Sequence, residues 1–314
     1  MQVWAVQGQG GYSAVASLDS EIRQRATAST FFHQMTVTVS SFGKHKADRV
    51  YIDKLGRLVT PMNVSGLGET DDIPATSFPF VQASVVVTEY GNAVEWTEKF
   101  ETFAQWSAPQ MVGMVLRQDQ IEGLDKVAFA AYALGKVVYT PITASTGVIS
   151  TTGTPGAVAG SLMTTAHVRD ISDYMRATLK CPAMANGDYF CVACTDHTRG
   201  IKETTEFIDV AKYATPEKLF DNEIGKYASV RFVEENNAIT TPAGTNVVGF
   251  GPGYYFGSDN VLEAVALAPH LRMKIPQGYG RDRGLAHFYL GGFVQVWNFT
   301  NDGGEEHQVR ADSL

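Results

Sequence analysis

The spacing of apolar residues changes several times along the chain. Apolar and polar residues alternate with a period of two at 35–39, 49–53 and 82–90, which predicts strands. From Thr97 to about Gly135 the apolar positions recur every three or four residues, which predicts a helix. The centre of this apolar stripe consists of Arg117, Ile121, Leu124, Ala128 and Ala131.

The helical region is unusually long. Its continuous part is predicted to begin at Ser107, because Pro109 is tolerated only in the first turn of a helix. About 27 residues then remain before Gly135, which corresponds to a helix about 40 Å long. Gly135 is expected to end it, as the residue that follows the C-cap.

The two strands predicted at 49–53 and 82–90 enclose a long polar segment. This segment is rich in glycine, proline and acid residues, and it includes Gly66, Gly68, Glu69, Asp71, Asp72, Pro74 and Pro79. Such a pattern predicts a protruding hairpin with an acidic tip. Two isolated strands are only marginally stable in water, so the hairpin is expected to lie on another surface. The acidic tip is either simply solvated or docked on a basic patch of a neighbour.

The second half of the chain is mostly strand-like. Residues 139–165 are predicted to be a loop, and a second helix is predicted from Thr165 to a stop at Pro182. The apolar run Tyr189–Cys194 predicts a strand buried on both faces, and Thr215-Pro216 predicts a helix start. Further strands are predicted at 227–234, 247–256, 261–267 and 285–299. The fold class is therefore α+β.

Composition points to an assembly. Charged residues make up 18% of the chain, against about 25% in an average soluble protein, whereas apolar residues make up 44%. Such a chain is expected to bury part of its surface against other copies. The net charge of −8 argues against a protein that coats duplex DNA or a membrane surface. No apolar run approaches the about 20 residues of a membrane span.

Candidate catalytic chemistry is sparse. Cys181, Cys191, Cys194 and His197 are residue types that bind zinc, but Cys191 and Cys194 have an odd spacing on a predicted strand and should face opposite sides. Buried structural cysteines are the favoured interpretation, and a hydrolase or metal enzyme that uses these cysteines or a histidine pair is the alternative. Three cysteines and no secretion signal fit a reducing cytoplasm. Ser41–Lys44 fits S-x-x-K and Ser258–Asn260 fits S-D-N, but no K-T-G accompanies them, so ordinary turns are the favoured interpretation, and no G-x-G-x-x-G after a strand, H-E-x-x-H or G-x-S-x-G occurs.

Three segments carry a family resemblance. The first is Val87–Lys99, which leads a strand into the long helix. The second combines Gly187–Tyr189 with 222–225 and 230–234, and the third combines 279–281 with 286–293. In this order they resemble the major capsid proteins of tailed bacteriophages, which have the HK-97 fold. The resemblance covers roughly residues 45–314.

The resemblance implies a domain organisation. It comprises an N-terminal arm at 1–44, an extended E-loop hairpin at 45–82, a P-domain strand and spine helix at 83–139, an A-domain at 140–284 and a return to the P-domain at 285–314. Arm and hairpin would lie over neighbouring subunits, which would explain segments that cannot stabilise themselves. The implied function is structural and not enzymatic: self-assembly into the icosahedral shell that encloses the genome of a tailed phage.

The resemblance also implies partners and a location. Hexamers and pentamers of this chain would enclose double-stranded DNA without sequence-specific binding, together with a portal and possible decoration proteins. The N-terminal segment has no coiled-coil pattern, so scaffolding would come from a separate protein or from none. The virion capsid would assemble in the host bacterial cytoplasm, without a membrane. An encapsulin-like nanocompartment shell is the alternative within the fold, and an oligomeric tail or fibre component is another.

Candidate site residues follow from these interpretations. No catalytic, cofactor or metal residues are assigned. Some relatives cross-link through a lysine and an asparagine, and Lys44, Lys46 and Lys54 lie near the hairpin, but non-covalent locking is predicted here. Arg281 and Arg283 form either a phosphate-contacting turn or a solvated turn with local ion pairs. The candidate assembly-interface residues are Trp4, Arg49, Tyr51, Leu67, Glu69, Asp71, Asp72, Arg281 and Arg283.

Overall fold

A computed structural model describes residues 28–39, 48–56, 58, 66–67, 69, 72–73, 75–104, 107–184, 186–208, 223–239 and 251–313. The helices are α1 (Glu98–Phe103), α2 (Ala108–Tyr132), α3 (Thr165–Ala177) and α4 (Thr195–Glu203). The strands are β1 (Val37–Val39), β2 (Arg49–Leu55), β3 (Phe80–Val86), β4 (Thr88–Thr97), β5 (Val138–Pro141), β6 (Gly147–Ser150), β7 (Tyr189–Ala193), β8 (Glu223–Tyr227), β9 (Val230–Glu234), β10 (Gly251–Phe256), β11 (Val261–Met273), β12 (Asp282–Gln295) and β13 (Gln308–Ser313).

The larger sheet has seven strands in the order β6-β5-β13-β10-β7-β9-β8. Its interior strand β7, between β10 and β9, is buried on both faces, as the unbroken apolar run predicted. Cys191 packs in the cluster on one face with α3 residues such as Ile171, and Cys194 packs in the cluster on the other face with Tyr132 of α2. The two cysteines therefore face opposite sides of the sheet, as their odd spacing predicted.

The smaller sheet has four strands in the order β1-β11-β12-β4, and α2 packs against it. The C-terminal part of the predicted stripe faces inward, with Leu124, Ala128 and Ala131 buried, and Leu116 is buried as well. Arg117 and Ile121, which were predicted at the centre of the stripe, are exposed, because the inward face in the first half of the helix is the one that carries Leu116. Ser107 is the N-cap and Pro109 lies in the first turn, which confirms the predicted start of the long helix. At the sheet's far end Trp96 and Leu285 pack on Ala108 and Leu116.

The end of the long helix was predicted wrongly. The helix ends at Tyr132 with Ala133 as the C-cap, and Gly135 does not adopt the left-handed conformation of a helix terminator. Gly135 serves close packing instead. A Cβ there would lie 1.8 Å from Nε2 of Gln308 and 2.8 Å from Oε1 of Glu306, so no other residue fits without a shift.

Residues 139–165 are only partly the predicted loop. β5 and β6 form an antiparallel hairpin, and β5 also pairs in parallel with β13. The four residues of β5 are all buried, because the C-terminal strand lies beside them. The sequence pattern did not show this, since the threonines and prolines of the segment are typical of loops. The second helix begins at the predicted Thr165 but ends at Ala177, before Pro182.

The two strands of the predicted hairpin pair with each other. β2 and β3 are in antiparallel register from Arg49–Val86 to Leu55–Phe80, which confirms the hairpin. The predicted boundary at 284/285 falls inside β12, and β13 pairs in the seven-stranded sheet. The helix start at Thr215-Pro216 lies outside the described residues. In the described part of the chain, no helix combines the length and hydropathy that crossing a bilayer requires.

Candidate functional site

The hairpin has an outward face and an inward face. The outward face carries Arg49, Tyr51 and Leu55 on β2, and Phe80 lies directly opposite Leu55 on β3. Tyr51 is 60% exposed and Phe80 is 58% exposed. Leu55 and Phe80 are therefore an exposed apolar cross-strand pair, whereas Asp53, Gln82 and Ser84 on the same face are polar.

The inward face attaches the hairpin to its own chain. The Lys54 ammonium donates hydrogen bonds to both carboxylate oxygens of Asp302 at 2.6 Å and to the main-chain oxygen of Val296 at 2.7 Å. It also lies 5.5 Å from the ring centroid of Trp297. The Lys54 and Asp302 side chains are only 5% and 2% exposed, so this is a buried ion pair. The sequence pattern indicated only that Lys54 lies near the hairpin, and not that its charge is buried.

The hairpin tip combines apolar and acidic residues. Leu67 and Ile73 are exposed, and so are Glu69 and Asp72. These three predicted residues, Leu67, Glu69 and Asp72, therefore lie on an accessible surface together. Trp4 and Asp71, which were predicted with them, lie outside the described residues.

A second exposed surface is the turn between β11 and β12. Gly278, Tyr279 and Gly280 have φ angles of 59°, 58° and 92°, so three consecutive residues lie in the left-handed region. Tyr279 is fully exposed, and Ile275 is 83% exposed. A non-glycine residue in this conformation is uncommon. Periodicity did not predict this apolar turn, and residues 279–281 entered only as part of the family resemblance.

Arg281 and Arg283 have different surroundings. The Arg281 side chain is 76% exposed, and its Nε lies 3.9 Å from the Asp282 carboxylate. Arg283 instead pairs with Glu98 at 3.1 Å and with Glu101 at 2.9 Å. Of the two interpretations offered for this turn, local ion pairing describes Arg283, while Arg281 remains available on the surface.

An apolar groove lies beside this turn, between β4, α1 and α2. Its cavity volume is about 430 Å³. The apolar residues that line it are Val94, Trp96, Phe100, Met111, Val112 and Val115. Periodicity did not predict the groove, because its walls come from three elements whose relative placement is tertiary. The feature that could have indicated the groove is Phe100, an exposed apolar residue in the short helix α1.

The cysteines do not form a reactive centre. All three are free and buried, and burial raises the pKa of Cys181 to about 12 and also raises the pKa of Cys191 and of Cys194. A thiol with a raised pKa holds little thiolate, which is the form that attacks substrates and binds metals. His197 is fully buried against Tyr255 and the Gly251 carbonyl, and burial lowers its pKa to about 4. The described residues contain no group of three or more metal-ligating side chains.

A buried acidic cluster joins α2 to two other segments. Asp125 accepts a hydrogen bond from the His33 main-chain N–H and another from the Asn237 side chain. Glu235 accepts from the main-chain N–H groups of residues 237–239. Burial and the nearby Asp125 raise the pKa of Glu235 to about 6, although these hydrogen bonds oppose the shift. Asp125, Glu235 and Asn237 are all buried, so the cluster lies inside the protein and joins these segments to one another.

Solved structures resemble the chain over nearly its whole length, whereas no protein-family model and no curated protein matches it. The head structure of Helicobacter pylori bacteriophage KHP40 has a TM-score of 0.71 at 12% identity, covering 99% of this chain and 98% of that one. The acidic stable capsid structure of Helicobacter pylori bacteriophage KHP30 has a TM-score of 0.71 at 12% identity, covering 98% of each chain. The capsid asymmetric unit of cyanophage Pam1 has a TM-score of 0.69 at 14% identity, covering 100% and 99%. The chain therefore has the α+β fold of phage capsid proteins.

Proposed function

We propose that this chain is the structural major capsid protein of a tailed phage and self-assembles into an icosahedral shell around the genome. The observation that carries the proposal is the likeness in fold to phage capsid proteins over the full length of both chains. The exposed apolar side chains on the outward face of the hairpin support it, because exposed apolar surface is typical of sites that contact another protein. The encapsulin-like alternative is not favoured, since these neighbours are phage capsids.

The proposed domains follow the sheets. Residues 1–44 are the N-terminal arm and 45–82 the E-loop. The P-domain starts at 83 and contains the spine helix α2, and β11 and β12 also belong to it. The A-domain contains the seven-stranded sheet, including β13. This assignment changes the sequence-based boundary at 284/285, because β11 and β12 pair with each other along most of their length.

The hairpin is proposed to clamp a neighbouring subunit. Arg49, Tyr51, Leu67, Glu69 and Asp72 lie on its outward face or tip, and a rigid hairpin held by Lys54 presents them away from its own chain. Aromatic and arginine side chains such as Tyr51 and Arg49 are the types enriched in protein interfaces. Trp4, Asp71, Arg281 and Arg283 are retained as further candidates. Locking between subunits is proposed to be non-covalent.

The proposed partners are mainly further copies of this chain. Hexamers and pentamers would form the shell, with a portal, possible scaffolding and decoration proteins, and double-stranded DNA inside. A net charge of −8 fits a shell that encloses DNA without binding it tightly, because tight binding to phosphates needs clustered positive charge. No catalytic step is proposed. Assembly would take place in the bacterial cytoplasm and the product would be the virion capsid.

The test is the mass and shape of the purified, untagged chain, measured by light scattering with negative-stain microscopy. Hollow isometric particles of megadalton mass, or capsomer-sized rings, are the expected result. The assay is repeated with a co-expressed scaffolding protein from the same genome where one is encoded. A compact monomer or dimer under both conditions and at every concentration would contradict the shell function.

A further inference from the structure

A polar patch interrupts the apolar contact between α2 and the four-stranded sheet. Asn92 of β4 and His287 of β12 are cross-strand partners, and both line a cavity of about 230 Å³ beneath the middle of α2. Asp119 and Gln120 line the same cavity from the helix side. The face that a helix turns toward a sheet is normally apolar. These four side chains therefore serve a purpose other than packing.

The His287 imidazole has a ring nitrogen without a partner. The residue is 7% exposed, and its Nδ1 has no hydrogen-bond partner among the residues that the structure describes. Leaving a buried polar atom unsatisfied costs free energy, so native structures usually supply a protein group, a water molecule or an ion. With the ring proton on Nε2, Nδ1 carries the lone pair that binds metals.

The Asp119 carboxylate lies opposite this nitrogen. Its Oδ2 is 3.9 Å from Nδ1 of His287, which is too long for a hydrogen bond. Zinc binds imidazole nitrogen and carboxylate oxygen at about 2.0–2.2 Å, so one ion between the two atoms spans up to about 4.2 Å, or about 3.4 Å at a tetrahedral angle. The Asp119 side chain is 47% exposed, so a small rotation closes the difference of about 0.5 Å.

Asn92 orients the carboxylate. Its side-chain N–H donates to Oδ2 of Asp119 at 3.0 Å, and its Oδ1 accepts the Ala93 main-chain N–H at 2.9 Å, which fixes the end of the amide that faces Asp119. Hydrogen bonds of this kind to a ligating carboxylate are a regular feature of metal sites. Within the described part of the chain, His287 is the only basic side chain within 4.0 Å of this carboxylate. An ion there therefore displaces no existing salt bridge.

The cavity is reached from the edge of the sheet. β4 is the outermost strand of this sheet, and Gly91 and Asn92 on it are exposed. A hydrated ion therefore has a short path from solvent to both His287 and Asp119.

We propose that His287 and Asp119 bind one divalent transition-metal ion, best matched by Zn²⁺, which fastens α2 to β12. One imidazole and one carboxylate favour zinc over Mg²⁺ and Ca²⁺, which prefer oxygen ligands alone. Water and the side-chain oxygen of Gln120 complete the coordination. With two strong protein ligands, the site binds zinc more weakly than a structural site with four. This inference goes beyond the proposed shell function and does not depend on it.

Calorimetric titration with zinc chloride tests the site on the purified full chain, after treatment with a chelator and dialysis. One ion per chain is expected. His287→Gln removes the ring nitrogen, and Asp119→Asn removes the charge but keeps an acceptor for Asn92. Each is expected to weaken zinc binding by at least about tenfold, because loss of an outer hydrogen-bond partner alone has that effect in known sites. Excess magnesium chloride should not compete.

His270→Gln is the matched control. His270 lies on β11 outside this cavity, with its Nδ1 2.9 Å from the Ala268 carbonyl, and the variant should bind zinc as the unchanged chain does. Thermal unfolding gives a second readout, since an ion that binds only the folded chain raises its melting temperature. Zinc should raise the melting temperature of the unchanged chain and of His270→Gln, but not that of the two site variants. Circular dichroism in chelator checks that every variant folds.

The outcomes decide the site separately from the shell function. If the unchanged chain binds no zinc, the metal site is wrong and the cavity holds water. Zinc binding that survives both His287→Gln and Asp119→Asn would overturn the site as well, because the ion would then lie elsewhere. If His287→Gln fails to fold, the half-exposed Asp119→Asn still decides. Particle formation is scored by microscopy with and without zinc, so either inference can fail while the other stands.

Discussion

Gly135 lies just beyond the end of the long helix, where the main chain passes directly against Gln308 of the C-terminal strand. Gly123 provides a contrast, because it lies on the exposed side of α2 and a Cβ there would meet nothing within 4 Å. The same residue type thus has two different roles in one segment. A glycine inside a helix lowers the stability of the helix, whereas a glycine where another segment comes very close allows the two segments to pack together.

Alanine substitution at these two positions should have opposite effects. Gly135→Ala is expected to lower the free energy of unfolding by about 1–3 kcal/mol, because the Cβ displaces the buried Gln308 side chain. Gly123→Ala is expected to raise it by up to about 1 kcal/mol through helix propensity. Urea titration of dissociated subunits measures both changes. A destabilised Gly123→Ala, or a neutral Gly135→Ala, would contradict this account.

The buried Glu235 gives a pH dependence with a defined sign. In the folded chain the Glu235 carboxyl has a pKa of about 6, above its ordinary value of 4.5. Between these two pH values the folded state therefore binds more protons than the unfolded state does. The free energy of unfolding should therefore fall by about 2 kcal/mol from this group as the pH rises from about 4.5 to about 6. Glu235→Gln removes the titration while leaving His33 and Glu263 in place.

Urea titrations of the unchanged chain and of Glu235→Gln across this pH range provide the measurement. The variant is expected to gain stability relative to the unchanged chain as the pH rises. The hydrogen bond between His33 and Glu263 raises the pKa of His33, and this effect is common to both proteins and cancels in the difference. A difference that is constant with pH would show that Glu235 does not titrate in this range.

At the scale of elements, one buried ion pair holds the hairpin to the C-terminal region. Lys54 follows the inward positions Val50 and Ile52 in the alternation of β2, so the backbone directs its charge toward the protein. Asp302 neutralises that charge and also accepts the Asn298 main-chain N–H at 2.7 Å. Removing one partner alone leaves a buried charge without compensation.

Lys54→Met is expected to cost about 3–5 kcal/mol in the free energy of unfolding, or to detach the hairpin locally. Lys54→Met with Asp302→Asn should recover most of the loss, because no buried charge remains and the Asn298 hydrogen bond is kept. Thermal unfolding with hydrogen exchange at β2 measures both. Arg199→Met, which breaks an exposed pair with Asp196, serves as the control and should cost less than about 1 kcal/mol. Equal costs for the two single variants would contradict the argument.

At the scale of the whole molecule, the hairpin strands are anchored to the rest of the chain through Lys54, and the segment between them is the part whose removal tests the proposed clamp. The hairpin forms its own two-stranded sheet, separate from the two sheets that hold the buried clusters. Its end is closed by a hydrogen bond from the Gly56 N–H to the Pro79 carbonyl at 2.9 Å. The chain can therefore be shortened there without separating the paired strands.

Replacing residues 57–78 by an Asn-Gly turn should leave a folded, soluble protein that cannot close shells. The expected reason is the loss of the apolar tip that would cover a neighbouring subunit. Light scattering and negative-stain microscopy measure assembly, and circular dichroism checks the fold. A loop of similar exposure, 151–158, is shortened in a control variant, which should still assemble. Normal particles from the hairpin variant would show that the hairpin is not an intersubunit clamp.

The sequence alone determined the elements that depend on neighbours along the chain. Period two located the hairpin strands, the helical period and Pro109 located the start of α2, and the unbroken apolar run located β7. The cysteine spacing placed Cys191 and Cys194 on opposite faces for the same reason. Each of these depends on the repeat of a helix or strand, which a short stretch of sequence already contains.

Only the tertiary structure decided which distant elements meet. β13 pairs with β5 and β10, Lys54 reaches Asp302, and three elements enclose the groove beside Tyr279. Gly135 was misinterpreted on the same account, because its partner Gln308 is far away in the sequence. Local periodicity shows that a face is apolar but not what covers it, since many pairings satisfy the same pattern. The choice among them is made by packing and charge in three dimensions.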